Sequence, residues 1–156
     1  MQRVVKVVMV RDDDKVLILR RSGKVISKES PWEWDLPGGH VEKDEALDDA
    51  LDREVWEETS LDLDKATKIY TDEKTTFFAA YDWEGKISLS QEHSDYEWIK
   101  PENITNYNIG VRVKLNPCLN NLSCSALMIS LSCDFVIFIL SLSFQWRDCI
   151  CLRCYN

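Results

Sequence analysis

Cysteine is missing from the first 117 residues of this 156-residue chain and then occurs six times, at Cys118, Cys124, Cys133, Cys149, Cys151 and Cys154. Its absence from the longer part excludes a disulfide scaffold there and fits a reducing compartment. Basic charge is also scarce: 19 Lys and Arg stand against 27 Asp and Glu, leaving a net charge of −8 and a pI near 4.8. Tight binding to a nucleic-acid backbone needs a basic footprint and is not expected of such a chain. The amino-terminal stretch has no secretory-signal pattern, because its apolar run at residues 4–10 is broken by Lys6 and followed by Asp12, Asp13 and Asp14. A cytoplasmic location is expected.

What is present suffices for one compact domain, with 45% hydrophobic residues. Residues 4–10 and 15–20 are β-rich runs separated by an acidic turn, and they predict a hairpin or adjacent strands. Residues 21–31 are polar and loop-like. Trp32, Trp34 and Leu36 then alternate with acidic residues until Pro37 stops the strand. A helix is expected from about residue 44 to 58, with Asp44 as its N-cap. Residues 75–83 and 96–99 read as further strands, with Gly85 marking a turn. Strands with an intervening helix predict an α/β domain on a mixed sheet.

Composition changes abruptly at Pro117, and residues 117–156 read as an atypical apolar tail foreign to the domain formed by residues 1–116. Residues 126–144 are apolar and serine-rich, almost reaching the roughly 20 residues needed to span a bilayer. Asp134 sits in their middle, where an aspartate costs about 2.5–3.5 kcal/mol on insertion scales. Cys149, Cys151 and Cys154 match no good zinc spacing.

The chemistry concentrates in residues 39–61, GHVEKDEALDDALDREVWEETSL, behind a Pro-Gly-Gly turn. A helix turns about 100° per residue, so Leu47, Ala50, Leu51 and Val55 form one apolar stripe, with Glu54 and Glu58 on it and Glu57 at its edge. A solvated acidic face would lie opposite the leucines. Crowding three carboxylates towards an interior is costly unless a cation neutralises them, and a hard divalent ion does this best. The spacing therefore predicts a metal site on a helix.

This segment resembles the Nudix box, the signature of hydrolases that split nucleoside diphosphates linked to another moiety. Gly39, Glu45, Arg53, Glu54, Val55, Glu57, Glu58 and Leu61 fall on its pattern. Ser60 alone departs, standing where the family has a glycine that ends the helix in a left-handed conformation. The resemblance extends from Val4 to about Leu115 and implies an α/β/α Nudix sandwich around a mixed β-sheet. It implies a pyrophosphohydrolase dependent on Mg²⁺ or Mn²⁺, with Glu54, Glu57 and Glu58 as metal ligands. Glu45 would pair with Arg53 to hold the loop, and Gly38 and Gly39 would let backbone approach the metal. Glu57, Arg53 and Glu92 are the catalytic candidates, Glu57 or Glu92 taking the proton; His93, beside Glu92, is an alternative base or an exposed loop histidine.

Arg20, Arg21 and Lys28 are candidates to meet phosphates, or else ordinary surface charges. Trp32 and Trp34 are candidates to stack a nucleobase, although one of an alternating pair usually packs into a core. The expected partner is a nucleotide-derived small molecule; Thr76, Phe77 and Phe78 stand where subfamilies often carry a marker, so the derivative stays open. Two rival readings are a catalytically silent nucleotide-binding or sensing module and an enzyme tethered to a membrane through residues 126–144. Ile104 onward to residue 115 is short for the helix that closes such a domain.

Overall fold

Alternation along β1 (Val4–Met9) assigns its two faces to two different cores. Val5, Val7 and Met9 point to one side, joined by Leu17 and Leu19 of β2 (Val16–Arg21), and meet Ala50, Leu51 and Val55 of α1 (Leu47–Thr59). Val8 and Val10 point to the other, with Val16 and Ile18, and meet Trp34, Leu36, Phe77, Ile99 and Ile104. Each Val or Leu so buried contributes about 1.5–3 kcal/mol relative to exposure, so the period-two pattern fixes which face receives the helix.

A computed structural model describes residues 2–24, 26, 31–71 and 74–110, together with two strands at Ala126–Ser130 and Val136–Leu140. β1 and β2 share one bridge at their turn, Val10 to Val16, and then part. β1 runs parallel to β5 (Thr75–Glu84), which pairs antiparallel with β4 (Asp62–Thr71), giving a mixed sheet of order β1-β5-β4. β2 lies between β3 (Trp34–Asp35) and β6 (His93–Ile99) in an antiparallel sheet. Trp83 of β5 and Trp98 of β6 stack at 5.5 Å across the two sheets, with the Arg11 guanidinium 5.0 Å above Trp98.

The expected α/β architecture is present, with three local differences. α1 begins at Leu47 rather than 44, and Ala46 is its N-cap without a side-chain bond. Asp44 cannot cap it, because Asp44 sits in a left-handed turn with φ of 64°. β4 was not expected from sequence; its register shifts at three places against β5, which destroys the alternation a strand otherwise shows. The layer opposite α1 is a short 3₁₀ helix, Pro101–Asn106, and α1 is the one α-helix among the described residues.

In the tail, Ala126–Ser130 and Val136–Leu140 form an antiparallel pair, where the sequence suggested one apolar stretch. Among the described residues no helix is long and apolar enough to cross a membrane. All six cysteines and Lys28 lie outside the described residues.

Candidate active site

The turn after β3 brings backbone against β1 closely enough to require glycine at Gly38, and sets Gly39 directly against a side chain of α1. Gly38 has φ of 120°, and a Cβ there would drive into the Val5 carbonyl oxygen. A Cβ on Gly39 would strike the Glu54 carboxylate. The turn is held to β1 by backbone bonds from Val5 N–H to the Gly39 carbonyl and from Val7 N–H to the Pro37 carbonyl, both 2.9 Å. The Pro-Gly-Gly sequence is thus what lets a carboxylate on the helix approach the strand layer.

Three glutamates within one turn of α1 meet three environments. Glu58 is buried and its Oε2 accepts the Gly38 N–H at 2.8 Å. Burial pushes its carboxyl up to about 7, against the opposing pull of Lys6 and of the Gly38 amide. The Glu54 side chain is 16% exposed and accepts from Arg53 Nη1 at 2.9 Å. The Glu57 side chain is 56% exposed, with Arg53 Nη1 3.4 Å away, so it is the one with room to turn.

Arg53 ties the helix to the loop that precedes it. Its Nε and Nη2 donate to both oxygens of Glu45 at 2.8 and 3.0 Å, and Nη2 also donates to the His40 carbonyl at 2.9 Å. Glu45 in turn accepts the Glu42 N–H at 2.8 Å. Arg53 holds the Glu45 carboxyl down to about 2, with the Glu42 amide adding to the effect. Arg53 thus bridges α1 to Glu45 and to the His40 carbonyl on the loop that precedes it.

Two residues outside the helix complete the site. Lys6, part-buried on β1, donates to Asp35 Oδ2 and the Leu36 carbonyl at 2.9 Å and to the Gly38 carbonyl at 2.5 Å. Burial works to lower its pKa, but Asp35, then Glu58, and also Glu54 outweigh this and hold it above the ordinary value. Lys6 therefore remains an ammonium. His93 is buried beside Glu58, Nε2 to Oε1 3.8 Å, and burial, then Lys6, depress it to about 4. Its Nδ1 has no hydrogen-bond partner among the described residues. The histidine is neutral at pH 7 and enclosed, not an exposed loop residue.

A cleft of about 660 Å³ gathers Lys6, Arg21, Asp35, Gly38, Gly39, Glu54, Glu57, Glu58 and Glu92. Of the sequence candidates, Glu54, Glu57, Glu58, Glu92, Gly38, Gly39 and Arg21 therefore meet there; Arg53 and Glu45 stand behind them without lining the cleft, and Arg20 and Trp34 lie away from it. Arg20 pairs with Glu33 on the exposed side, near the Trp34 ring, and does not line the cleft. Trp34 is buried, edge-on to Tyr107 at 5.3 Å, so it is a core residue and not a base-stacking platform. Adjacent strand residues face opposite ways, and with a register shift between Arg20 and Arg21 only Arg21 reaches the cleft. Trp32 is 41% exposed and covers Gly110.

Lys6 and Asp35 were missed. The signal for Lys6 was a lone charge at an alternate position of an otherwise apolar strand, and for Asp35 its place before Leu36-Pro37-Gly38.

The donors present suit a hard divalent cation: they are carboxylate oxygens, and Gly39 leaves room for Glu54 at the strand layer. They are spread along the cleft, Glu54 turned to Arg53 and Glu58 to Gly38. Among the described residues no group of three acidic, His or Cys side chains closes into a ready-made cage.

Comparison with known proteins agrees with this geometry. A family model described as the NUDIX domain matches residues 1–115. The nucleoside triphosphatase NudI of Escherichia coli O139:H28 is 29% identical, the match covering 54% of this chain and 73% of that protein. The solved MutT protein of Methanosarcina mazei Go1 is 30% identical with a TM-score of 0.52, over 67% of this chain and 80% of that one. A MutT NUDIX hydrolase from Burkholderia pseudomallei shares the fold at 23% identity, with a TM-score of 0.55 over 65% and 84% of the two chains. With a family model spanning the whole strand-and-helix unit and the box glutamates gathered at its cleft, this chain belongs to the Nudix family and is a pyrophosphohydrolase.

Proposed function

We propose that this enzyme hydrolyses the pyrophosphate linkage of a nucleoside diphosphate derivative with Mg²⁺ or Mn²⁺ held by Glu54, Glu57 and Glu58. The observation that carries the reading is the gathering of these carboxylates with Glu92, Lys6 and Arg21 in one cleft. When bound, a divalent ion neutralises phosphoryl oxygens and lowers the pKa of a coordinated water. Arg21, whose guanidinium lines the cleft beside the carboxylates, meets a phosphate of the substrate. Glu57 or Glu92 accepts the proton of the attacking water; both line the cleft and are more exposed than Glu54 or Glu58. Arg53 and Glu45 keep the helix and its loop in register while this happens.

Residues 1–116 form the catalytic unit in this reading, and residues 117–156 stand outside it. Nucleoside triphosphates are the first substrates to try, because the NudI relative is named for them. The deciding experiment is a product-resolved panel of nucleoside triphosphates, ADP-ribose-like compounds, dinucleoside polyphosphates, nucleotide sugars and capped RNA, each with Mg²⁺, Mn²⁺ and chelator. Chelator-sensitive release of a nucleoside monophosphate from one class supports the reading. Binding without turnover across the panel would favour a silent sensing module, and turnover indifferent to chelator would reject the metal assignment.

A further inference from the structure

We propose that Lys6 is a positioning residue for Glu58, acting through the backbone of Gly38; this rests on the reading of Glu58 as a metal ligand. All three ammonium protons of Lys6 are committed to the turn after β3, to Asp35 Oδ2, the Leu36 carbonyl and the Gly38 carbonyl. No proton is left for a substrate phosphate, although Lys6 lines the cleft. The Gly38 carbonyl that Lys6 draws in and the Gly38 N–H that donates to Glu58 Oε2 at 2.8 Å belong to the two peptide groups on either side of one α-carbon. Lys6 thus sets the tilt of a residue whose φ of 120° no side-chain-bearing residue readily adopts, and that residue sets one oxygen of Glu58. The other oxygen, Oε1, is directed to His93 at 3.8 Å.

Two physical effects of Lys6 on a cation site have opposite sign. As a nearby positive charge it repels a divalent ion, so its neutral replacement would tighten metal binding. As the support of a ligand's hydrogen-bond partner it organises the site, and loss of such support weakens binding by about 10- to 100-fold. The part-buried, fully satisfied geometry makes the second effect the larger, because removing the ammonium leaves Asp35 Oδ2 and two carbonyls without their donor and loosens the turn, Asp35 keeping only its Oδ1 bond from the Leu36 N–H.

The test is Mn²⁺ titration of the full chain without substrate, read by electron paramagnetic resonance, for wild type, Lys6→Met and Glu58→Gln, with melting curves for each. Weaker Mn²⁺ binding by about tenfold or more in Lys6→Met, and a fall in kcat with little change in KM, is the expected result. Lys6→Cys converted by 2-bromoethylamine, with wild type treated alike to allow for the native cysteines, should restore Mn²⁺ affinity; this arm stands if Lys6→Met fails to fold. Unchanged or tighter binding in Lys6→Met beside weakened Glu58→Gln would overturn the proposal and leave the ligand assignment intact. Undiminished binding in Glu58→Gln would reject that assignment itself, and the role of Lys6 with it.

Discussion

The two ends of α1 are fixed by different means. At the amino end, Arg53 reaches back to Glu45 and His40 through charged hydrogen bonds at the molecular surface. At the carboxyl end, Glu58 is buried against one backbone amide, and the chain leaves through Ser60 with φ of 58° and its N–H on the Trp56 carbonyl at 2.8 Å. Paired side-chain charges make the first attachment adjustable by salt, whereas at the second the backbone turn at Ser60 carries no charge and the one titrating group is the Glu58 carboxyl, pushed up to about 7 by burial. The box places its substrate-facing carboxylates between an electrostatic anchor and a steric one.

The largest effects should come from the carboxylates between the anchors. Glu57→Gln and Glu58→Gln should each lower turnover by about 10²–10³-fold, the range seen when one transition-state charge stabiliser is removed, while melting in chelator stays close to wild type. Steady-state kinetics with saturating Mg²⁺, beside calorimetry, checks both halves; near-native turnover in both variants would show that the cleft is not the reacting site.

Breaking the electrostatic anchor should cost less. Arg53→Lys cannot grip both Glu45 oxygens and the His40 carbonyl at once, and turnover should fall by about tenfold as Glu54 loses its support. The companion Glu45→Gln variant should melt below wild type near pH 7. The sign of its pH dependence follows from the depressed Glu45 carboxyl: the stabilisation is complete above the unfolded value near 4.5 and is lost as pH falls towards about 2. The melting gap between the two proteins should therefore close on acidification through this window, and a gap that stays constant would place the anchor's strength elsewhere.

The steric anchor is the one that can be improved. A left-handed non-glycine residue costs about 1–2 kcal/mol, and glycine's extra unfolded freedom returns about 0.5–1 of it, so Ser60→Gly should gain roughly 0.5–1 kcal/mol. The Ser60 hydroxyl bond to the Ser88 carbonyl is long, 3.3 Å, and its loss subtracts little. Urea midpoints at unchanged slope measure this directly. The smallest effect is expected from the tail: both anchors are built from residues before 110, so a chain ending at Asn116 should keep its Mg²⁺-dependent activity and gain soluble yield. An inactive short form beside an active full chain would make the tail part of the fold.

Much of this architecture was legible in the sequence because it depends on spacing alone. The burial of Ala50, Leu51, Val55 and Glu58 on one face of α1, with Glu57 at its margin, follows from the helical period. The strands β1 and β2 follow from apolar runs, and Ser60 betrayed its left-handed backbone by replacing a glycine. What escaped was set by residues distant in sequence. β4 lost its alternation to shifts in register against β5. Asp44 looked like a cap, but its left-handed φ of 64° takes it out of that role and the helix starts past it, at Leu47. Trp34 and His93 were ambiguous in sequence, and only the closure of Tyr107 over the first and of Glu58 beside the second resolved them as enclosed. Lys6 was invisible as a site residue because nothing nearby in sequence indicates that Asp35 and Gly38 lie against it.

The alternation of β1 carries one further implication. Val4 and Lys6 open into the cleft from the same face whose later members, Val8 and Val10, enter a core. Slipping β1 by a single residue against β5 would bury the ammonium of Lys6 among leucines beneath α1 and leave Val5 or Val7 where the turn needs a cation. A misaligned chain would therefore be penalised in the core and disarmed in the cleft by the same error. One charged residue in this strand thus lets folding proofread catalysis.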